Sequence, residues 1–502
     1  MNPLTRRQAI ALGATGAAAT ATGAAGLLWS ARIRSPGGPD DGAPGAGGAW
    51  TASPSVSSSD GVLEVRLEAA PARLSIGGRD ADVLAYNGTV PGPTLRLRPG
   101  DRLRVRLANG LDDPTNLHTH GLYASPAGNG DNPFLEVSPG GTFDYEIDLP
   151  PDHPSGTFWY HPHHHGMVAD QLWAGLYGAI VVEDTDPVPA TRERVLLVSD
   201  LTLDTAGHLQ GVTMPERMMG RMGATVLVGG RTFPRLDAAP GDREVWRLVN
   251  ACPTRFLRLD LEGATALLTA RDGHRLASPR DAGDLVLAPG NRADLLVAVG
   301  DGAATLRSLA YDRGDMGAMM GRGPGRGGMM DTEPAEPVDL LRLVPSGGSG
   351  AGDGPLPNVP APTNPTPRDL RGRTVAARRD VVFAMGMGRG MGPGGMSPTI
   401  NGRSYDADRT DITVEAGTVE EWRIVNTSPL HHPFHLHVWP MQVVHDGTAA
   451  VDVPDWRDVV VVPANGEATV LVAFDGIAGR TVFHCHILDH EDLGMMGVVE
   501  VR

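Results

Sequence analysis

The stretch TVFHCHILDHEDLGMM, residues 481–496, sets Cys485, one of only two cysteines in the chain, between His484 and His486, with His490, Met495 and Met496 following. On an extended strand successive side chains leave by opposite faces, so His484 and His486 share one face and Cys485 takes the other. One tripeptide can therefore serve two sites. On the cysteine side, His432, Cys485, His490 and Met495 supply two imidazoles, a thiolate and a weak thioether. That is the donor set of a type 1 blue-copper electron-transfer centre, where soft sulfur favours copper. On the other side, His-x-His recurs in LHTHG (His118, His120), WYHPHHHG (His161, His163), HHPFHLH (His435, His437) and FHCH (His484, His486). A strand spaces each such pair by two residue rises, roughly 6.6 Å. Eight imidazoles that converge suit zinc, copper, iron or nickel. A structural zinc site is normally complete with four ligands, far fewer than the donors arranged here. A histidine-rich surface accounts for His164 and His165 but not for four separate pairs. His153, His208, His274 and His445 receive no role.

Donors of this kind work only on rigid supports, and the chain repeats one unit three times. It runs from Tyr86 (YNGTVPGPTLRLRPGDRLRVRLANGL), from Leu227 (LVGGRTFPRLDAAPGDREVWRLVNACPT) and from Ile400 (INGRSYDADRTDITVEAGTVEEWRIVNTSPL). Each copy has a glycine turn, a short apolar segment, a second turn and an alternating strand ending in Asn. Alternation with turns every eight to twelve residues is the pattern of antiparallel β-sandwiches. The expectation is an all-β chain of three tandem sandwich domains, at 60–186, 187–345 and 370–502. Gly/Pro/Ser-rich segments 31–59 and 346–369 read as linkers.

Composition narrows the chemistry. The formal net charge of -16 argues against nucleic acid or an anionic membrane as partner. All 43 basic residues are arginine, because the chain has no lysine. A Schiff-base or pyridoxal-phosphate site and a Walker A phosphate loop are thereby excluded, since each needs an amine. Residues 1–30 set Arg6 and Arg7 before a weakly apolar Ala/Gly run, which resembles a twin-arginine export signal. Delivery by the twin-arginine machinery to the periplasm, cell wall or medium follows as an expectation, with membrane tethering if the signal is not removed. Cys252 reads as a small buried hydrophobe.

The four motifs, in this order and spacing, resemble those of the three-domain multicopper oxidases, and the likeness covers nearly all of the chain after the signal. It implies three cupredoxin-like domains and four copper ions, one type 1, one type 2 and two type 3. By motif position it assigns His432, Cys485, His490 and axial Met495 to type 1 copper, and His118 and His435 to type 2. His120, His161 and His486 would hold one type 3 ion; His163, His437 and His484 would hold the other. The family's pair begins directly after the aromatic WY, which selects His161 and His163 from the run 161–165. Its axial ligand lies ten residues past the cysteine, which selects Met495 over Met496. The implied reaction is four one-electron oxidations of cuprous ion or a small organic reductant, coupled to reduction of dioxygen to water. Asp131 and Glu491 are the candidates for proton relay.

Thirteen of the 18 methionines lie in three clusters, Met214–Met222, Met316–Met330 and Met385–Met396, among Gly, Arg and Pro. They read as exposed loops whose thioethers could collect Cu(I), the resemblance here being to exported copper-detoxifying oxidases. Three activities compete. The chain is a cuprous and phenol oxidase, a copper-free exported scaffold, or a copper store with little turnover; a laccase acting mainly on phenols is a variant of the first.

Overall fold

In the strand Arg102–Asn109 the side chains of Leu103, Val105 and Leu107 are buried, while Arg102, Arg104 and Arg106 point outward. The arginines meet Asp148, Glu146, Glu64 and Asp144 on the neighbouring strands. Period-2 burial on one face and cross-strand ion pairs on the other make this strand one member of a half-solvated sheet. A computed structural model of the chain describes residues 48–314, 336–347, 359, 368–387 and 396–502. The expected export signal lies outside the described residues, as do most of the 346–369 linker and the methionines of 316–330. Among the described residues no helix is long and apolar enough to cross a membrane.

Six sheets pair into three sandwiches, as expected for an all-β chain of cupredoxin-like units. The first stacks a five-stranded sheet on a four-stranded one, with Leu67, Leu103, Val105, Tyr160 and Ile180 between them. The second and third each stack a six-stranded on a five-stranded sheet, around Trp246 and Leu295 and around Trp422 and Phe434. Cys252 is a free, buried member of the second core.

The repeat has a physical basis. Asn87-Gly88, Gly229-Gly230 and Asn401-Gly402 all have positive φ and close two-residue hairpins, bridging Tyr86 to Thr89, Val228 to Arg231 and Ile400 to Arg403. This backbone matches the strand twist and is open to Asn and Gly at little cost. The asparagine ending each alternating strand pins the loop beyond it. Asn109 Nδ2 donates to Asp113 O and Val137 O, Asn250 Nδ2 to Arg255 O and Leu287 O, and Asn426 Nδ2 to Leu430 O and Pro463 O. In the first and third sandwiches these loops lead into His118 and His432.

Two expectations are corrected. The 31–59 segment is not a linker throughout: Trp50 N donates to Arg235 O at 2.9 Å, and Ser55–Ser57 forms a strand parallel to Thr94–Leu97. The first methionine cluster is not simply an exposed loop either. After α1 (Val168–Trp173), the segment Met214–Met219 forms a second short helix, α2. Thr213 and Glu216 cap it reciprocally and Gly220 ends it at φ 76°, a Thr-x-x-Glu start legible in the sequence. Met219 is buried there, and Met385 is buried in the third core.

Candidate metal centre

The strands His432–Leu436 and Gly479–Cys485 pair antiparallel, matching Phe434 with Cys485 and His435 with His484. One face of this ribbon enters the third core; the other turns toward the first sandwich. On the core side His432 Nδ1 lies 3.3 Å from Cys485 Sγ, and His490 Nδ1 lies 3.9 Å from it. All three residues are fully buried. The short helix α3 (Leu488–Asp492) brings His490 back to the cysteine. The far ring nitrogens are occupied: His432 Nε2 is 2.7 Å from Ser428 Oγ, and His490 Nε2 donates to Met218 O at 3.0 Å. Both Nδ1 atoms are thereby aimed at the sulfur, the tautomer choice that outer partners impose on metal-binding imidazoles. Met495 lies in the same apolar cluster as Cys485, whereas Met496 packs with Val482 and Val498. Tertiary packing thus separates the two methionines as their spacing does.

On the other side all eight paired imidazoles converge, and all are buried. His118 stacks on His437 with ring centres 3.9 Å apart, and His120 on His435 at 4.0 Å. His484 Nε2 lies 3.2 Å from both His163 Nε2 and His437 Nε2. His486 faces His120 and His161, at ring-centre distances of 5.0 and 5.8 Å. The trio His163, His437 and His484 therefore meets as one donor group. His118 and His435 are 5.9 Å apart by ring centres. Only the His118–His120 pair lies wholly within a strand; the others straddle strand ends, and their rings still share a face.

A fit to metal can be judged from unpartnered atoms. His118 Nε2, His120 Nδ1, His161 Nε2, His435 Nε2, His437 Nδ1 and both nitrogens of His486 are buried without hydrogen-bond partners. Their opposite nitrogens are held where the structure supplies an acceptor: His118 Nδ1 by Asp131, His120 Nε2 by Asp458, His161 Nδ1 by Pro162 O and His435 Nδ1 by Asp458 O. Buried polar atoms are rarely orphaned, and so many turned into one space fit a cluster of metal ions. Burial, and then mainly the neighbouring imidazoles, lowers the basicity of His118, His120, His161, His435, His437 and His486; His161 falls to about 3, and His163, lowered by burial and partly restored by Glu491, to about 4. They are neutral near pH 7 and ready to ligate.

Both sequence-derived carboxylates reach this cluster. Asp131 sits with each oxygen 3.0 Å from His118 Nδ1 and accepts from Thr119 N; burial raises its carboxyl to about 7. Glu491 lies 3.0 Å from His484 Nδ1 and 3.4 Å from His163 Nε2. Burial pushes its carboxyl up, but His484 and His163 outweigh that and hold it below the usual range.

Sequence reading missed the supports. Asp458 accepts from His120 Nε2 and forms a buried, two-point pair with Arg292 of the second sandwich, at 2.5 and 2.6 Å. Asn116 Oδ1 accepts from His163 N, and Asp492 accepts from Gly166 N and Ala169 N, tying α3 to the start of α1. Gly121 has no room for a side chain, because a Cβ would lie 2.4 Å from both Arg292 and Asp458. Nothing in local periodicity marks Asp458, since its imidazole partner is 338 residues away. Asp458→Leu is expected to weaken copper retention in the imidazole cluster about 10- to 100-fold. By stranding the Arg292 charge it should also cost roughly 3–5 kcal/mol of stability. Copper retained on dialysis against a chelator and a thermal melt check the two effects; a wild-type result in both would refute the positioning role.

Three two-sheet sandwiches, a buried cysteine beside two imidazoles and a cluster of eight further imidazoles define a copper-binding redox protein. Residues 69–187 and 364–502 each match a family model described as multicopper oxidase. The chain is 28% identical over 435 residues to multicopper oxidase mco of Staphylococcus haemolyticus, covering 84% of each chain. It is 27% identical to multicopper oxidase MmcO of Mycobacterium tuberculosis, covering 85% of this chain and 84% of that one. A metallo-oxidase from Campylobacter jejuni superposes with a TM-score of 0.77 at 28% identity, covering 91% of this chain and 95% of its own. The chain belongs to the multicopper oxidase family. It is a copper-dependent oxidoreductase, and its cofactor is copper of types 1, 2 and 3.

Proposed function

We propose that this oxidase takes single electrons at the His432–Cys485–His490–Met495 group, chiefly from cuprous ion, and serves copper tolerance outside the cytoplasm. His118 and His435 are read as type 2 ligands, with His120, His161 and His486 on one type 3 ion and His163, His437 and His484 on the other. Bound there, copper supplies one-electron acceptance at the thiolate group and four-electron reduction of dioxygen to water at the imidazole cluster. The chain's own part is to join, orient and protonate. Cys485 is bonded through its backbone to His484 and His486, so the route between the two groups is one residue long. Asp131 is hydrogen-bonded to His118 Nδ1 and buried, which raises its carboxyl, so it is placed to hold and pass on a proton beside that ring. Glu491, held in its ionised form between His163 and His484, is the second carboxylate and can take up a proton only in passing.

The observation that carries the donor assignment is the position of α2. Its Met218 carbonyl accepts from His490 Nε2, and His432 and His490 have no exposed edge. A bulky phenol therefore has no imidazole to touch, while Met214, 59% exposed at the start of α2, and Met222, 38% exposed just beyond its end, present soft sulfur to solvent. Replacing Met214, Met218 and Met222 together with serine should lower the cuprous rate severalfold, since a hard oxygen binds Cu(I) poorly. The phenol rate on the same preparation should hold or rise. An unchanged cuprous rate with a fallen phenol rate would make the enzyme a laccase. Export is proposed from Arg6 and Arg7, and replacing both with alanine should retain the protein in the cytoplasm.

A further inference from the structure

Arg313 is a cation buried beside Cys485 and its two imidazoles, and among the described residues it has no carboxylate ion pair. It is 7% exposed, and its guanidinium donates through Nη2 to Met219 O, the last residue of α2. Its carbonyl accepts from His431 N at 2.7 Å, next in the chain to His432. The residue is thus stitched between the helix that covers His490 and the strand that carries His432. Nη1 is buried and has no partner among the described residues. Among the described residues the carboxylate that acts on it is Asp489, already engaged by Arg221 through Nε, Nη2 and the backbone N–H, at 2.6–3.1 Å. Burying a charge without its own counter-ion is costly, so its presence here calls for a reason.

The charge is felt at the donors. Burial is the main cause that depresses His490, to about 3, and Arg313 is the next. His432 is depressed by burial, by His490 and then by Arg313. Burial raises the Cys485 thiol, and Arg313 works against that rise. Arg313 itself is lowered by burial only to about 10, so it remains cationic at neutral pH.

We propose that Arg313 raises the reduction potential of the type 1 copper by placing a fixed positive charge beside Cys485. This inference rests on the type 1 reading of the quartet. The sign follows from charge counting. A cupric ion, one thiolate and two neutral imidazoles sum to +1, and the cuprous form to zero. A neighbouring cation repels the first and not the second, and low-dielectric surroundings strengthen that difference. Reduction becomes more favourable, which suits a site that must accept electrons from weakly reducing donors. Arg313 acts through the site's charge balance without touching donor or dioxygen, so it is a positioning and tuning residue.

The test is redox titration of the blue absorption of the copper-loaded full-length enzyme, in wild type and in Arg313→Gln, Arg313→Met and Arg313→Lys. The midpoint should shift to lower potential in both neutral variants and stay near wild type in the lysine variant, with the blue band present throughout. An unmoved midpoint in the neutral variants overturns the proposal. So does a lysine variant that falls as far as they do, because then the fork to Met219 O, and not the charge, sets the potential. Should neither neutral variant hold blue copper, the lysine variant decides against wild type: a midpoint near wild type supports the proposal, and a clear fall overturns it. A wild-type enzyme without a blue band would overturn the type 1 reading itself, an outcome distinct from a band that is present and unshifted.

Discussion

Cys485→Ser is expected to abolish the blue colour of the copper-loaded enzyme and to bring turnover with every donor down to the copper-free background. The thiolate is the soft, charge-donating ligand of the quartet, and a serine hydroxyl neither ionises near neutral pH nor gives sulfur-to-copper charge transfer. The fold should survive. Cys485 sits in a core built from Trp422, Phe434, Phe483 and some two dozen other buried residues, and its Sγ already accepts from Ile487 N at 3.4 Å. A serine oxygen can accept the same bond, so the substitution costs about 1–3 kcal/mol at most. Visible absorption, oxygen uptake and a thermal melt on one preparation separate the effects. A blue or active serine variant would remove Cys485 from the centre.

His437→Ala should show the complementary pattern, with full blue colour and no dioxygen reduction. His437 stacks on His118, meets His163 edge-on at 4.7 Å and approaches His484, so its loss opens the imidazole cluster on three sides. It does not enter the thiolate group, whose hydrogen bonds run to Ser428 and Met218. Added donor should bleach the blue band, and the band should not return on admitting air, because the onward acceptor has been disabled. Normal oxygen uptake by this variant would show that the eight imidazoles do not form one functional cluster. Together the two substitutions ask whether the faces of the His484–Cys485–His486 tripeptide are separate sites joined by one backbone.

Much of this was legible before any coordinates. Alternation in Arg102–Asn109 and Val419–Asn426 marks which residues enter a core, and the Asn-Gly and Gly-Gly pairs mark hairpins. Residue type and spacing pointed to the His-x-His pairs and to the Cys485 quartet, while the choice of His161 and His163 from the run 161–165, and of Met495 over Met496, came from the family resemblance. The helix α2 was missed although Thr213 and Glu216 announce it, because its methionines sit among the glycine and arginine of a loop-like composition. Reading all of 31–59 as linker did not hold for its described part, 48–59, for a different reason. A short strand such as Ser55–Ser57 carries too few residues for alternation to show, and its partner strand supplies its order.

What the sequence by itself determined is the donor inventory and the face by which each donor leaves its strand, since both depend on residue type and a local period of two. The tertiary structure alone decided which nitrogen of each ring is free. His120 is turned by Asp458, 338 residues away, and His490 by the carbonyl of Met218, 272 residues away. It also decided that α2 caps the His490 ring through Met218 O and that Arg313 is buried beside Cys485 with no carboxylate ion pair among the described residues. The physical reason is that hydrogen-bond direction, burial and charge environment belong to the contacts between sandwiches. Those contacts arise from packing between elements far apart in the chain, where no local pattern records them.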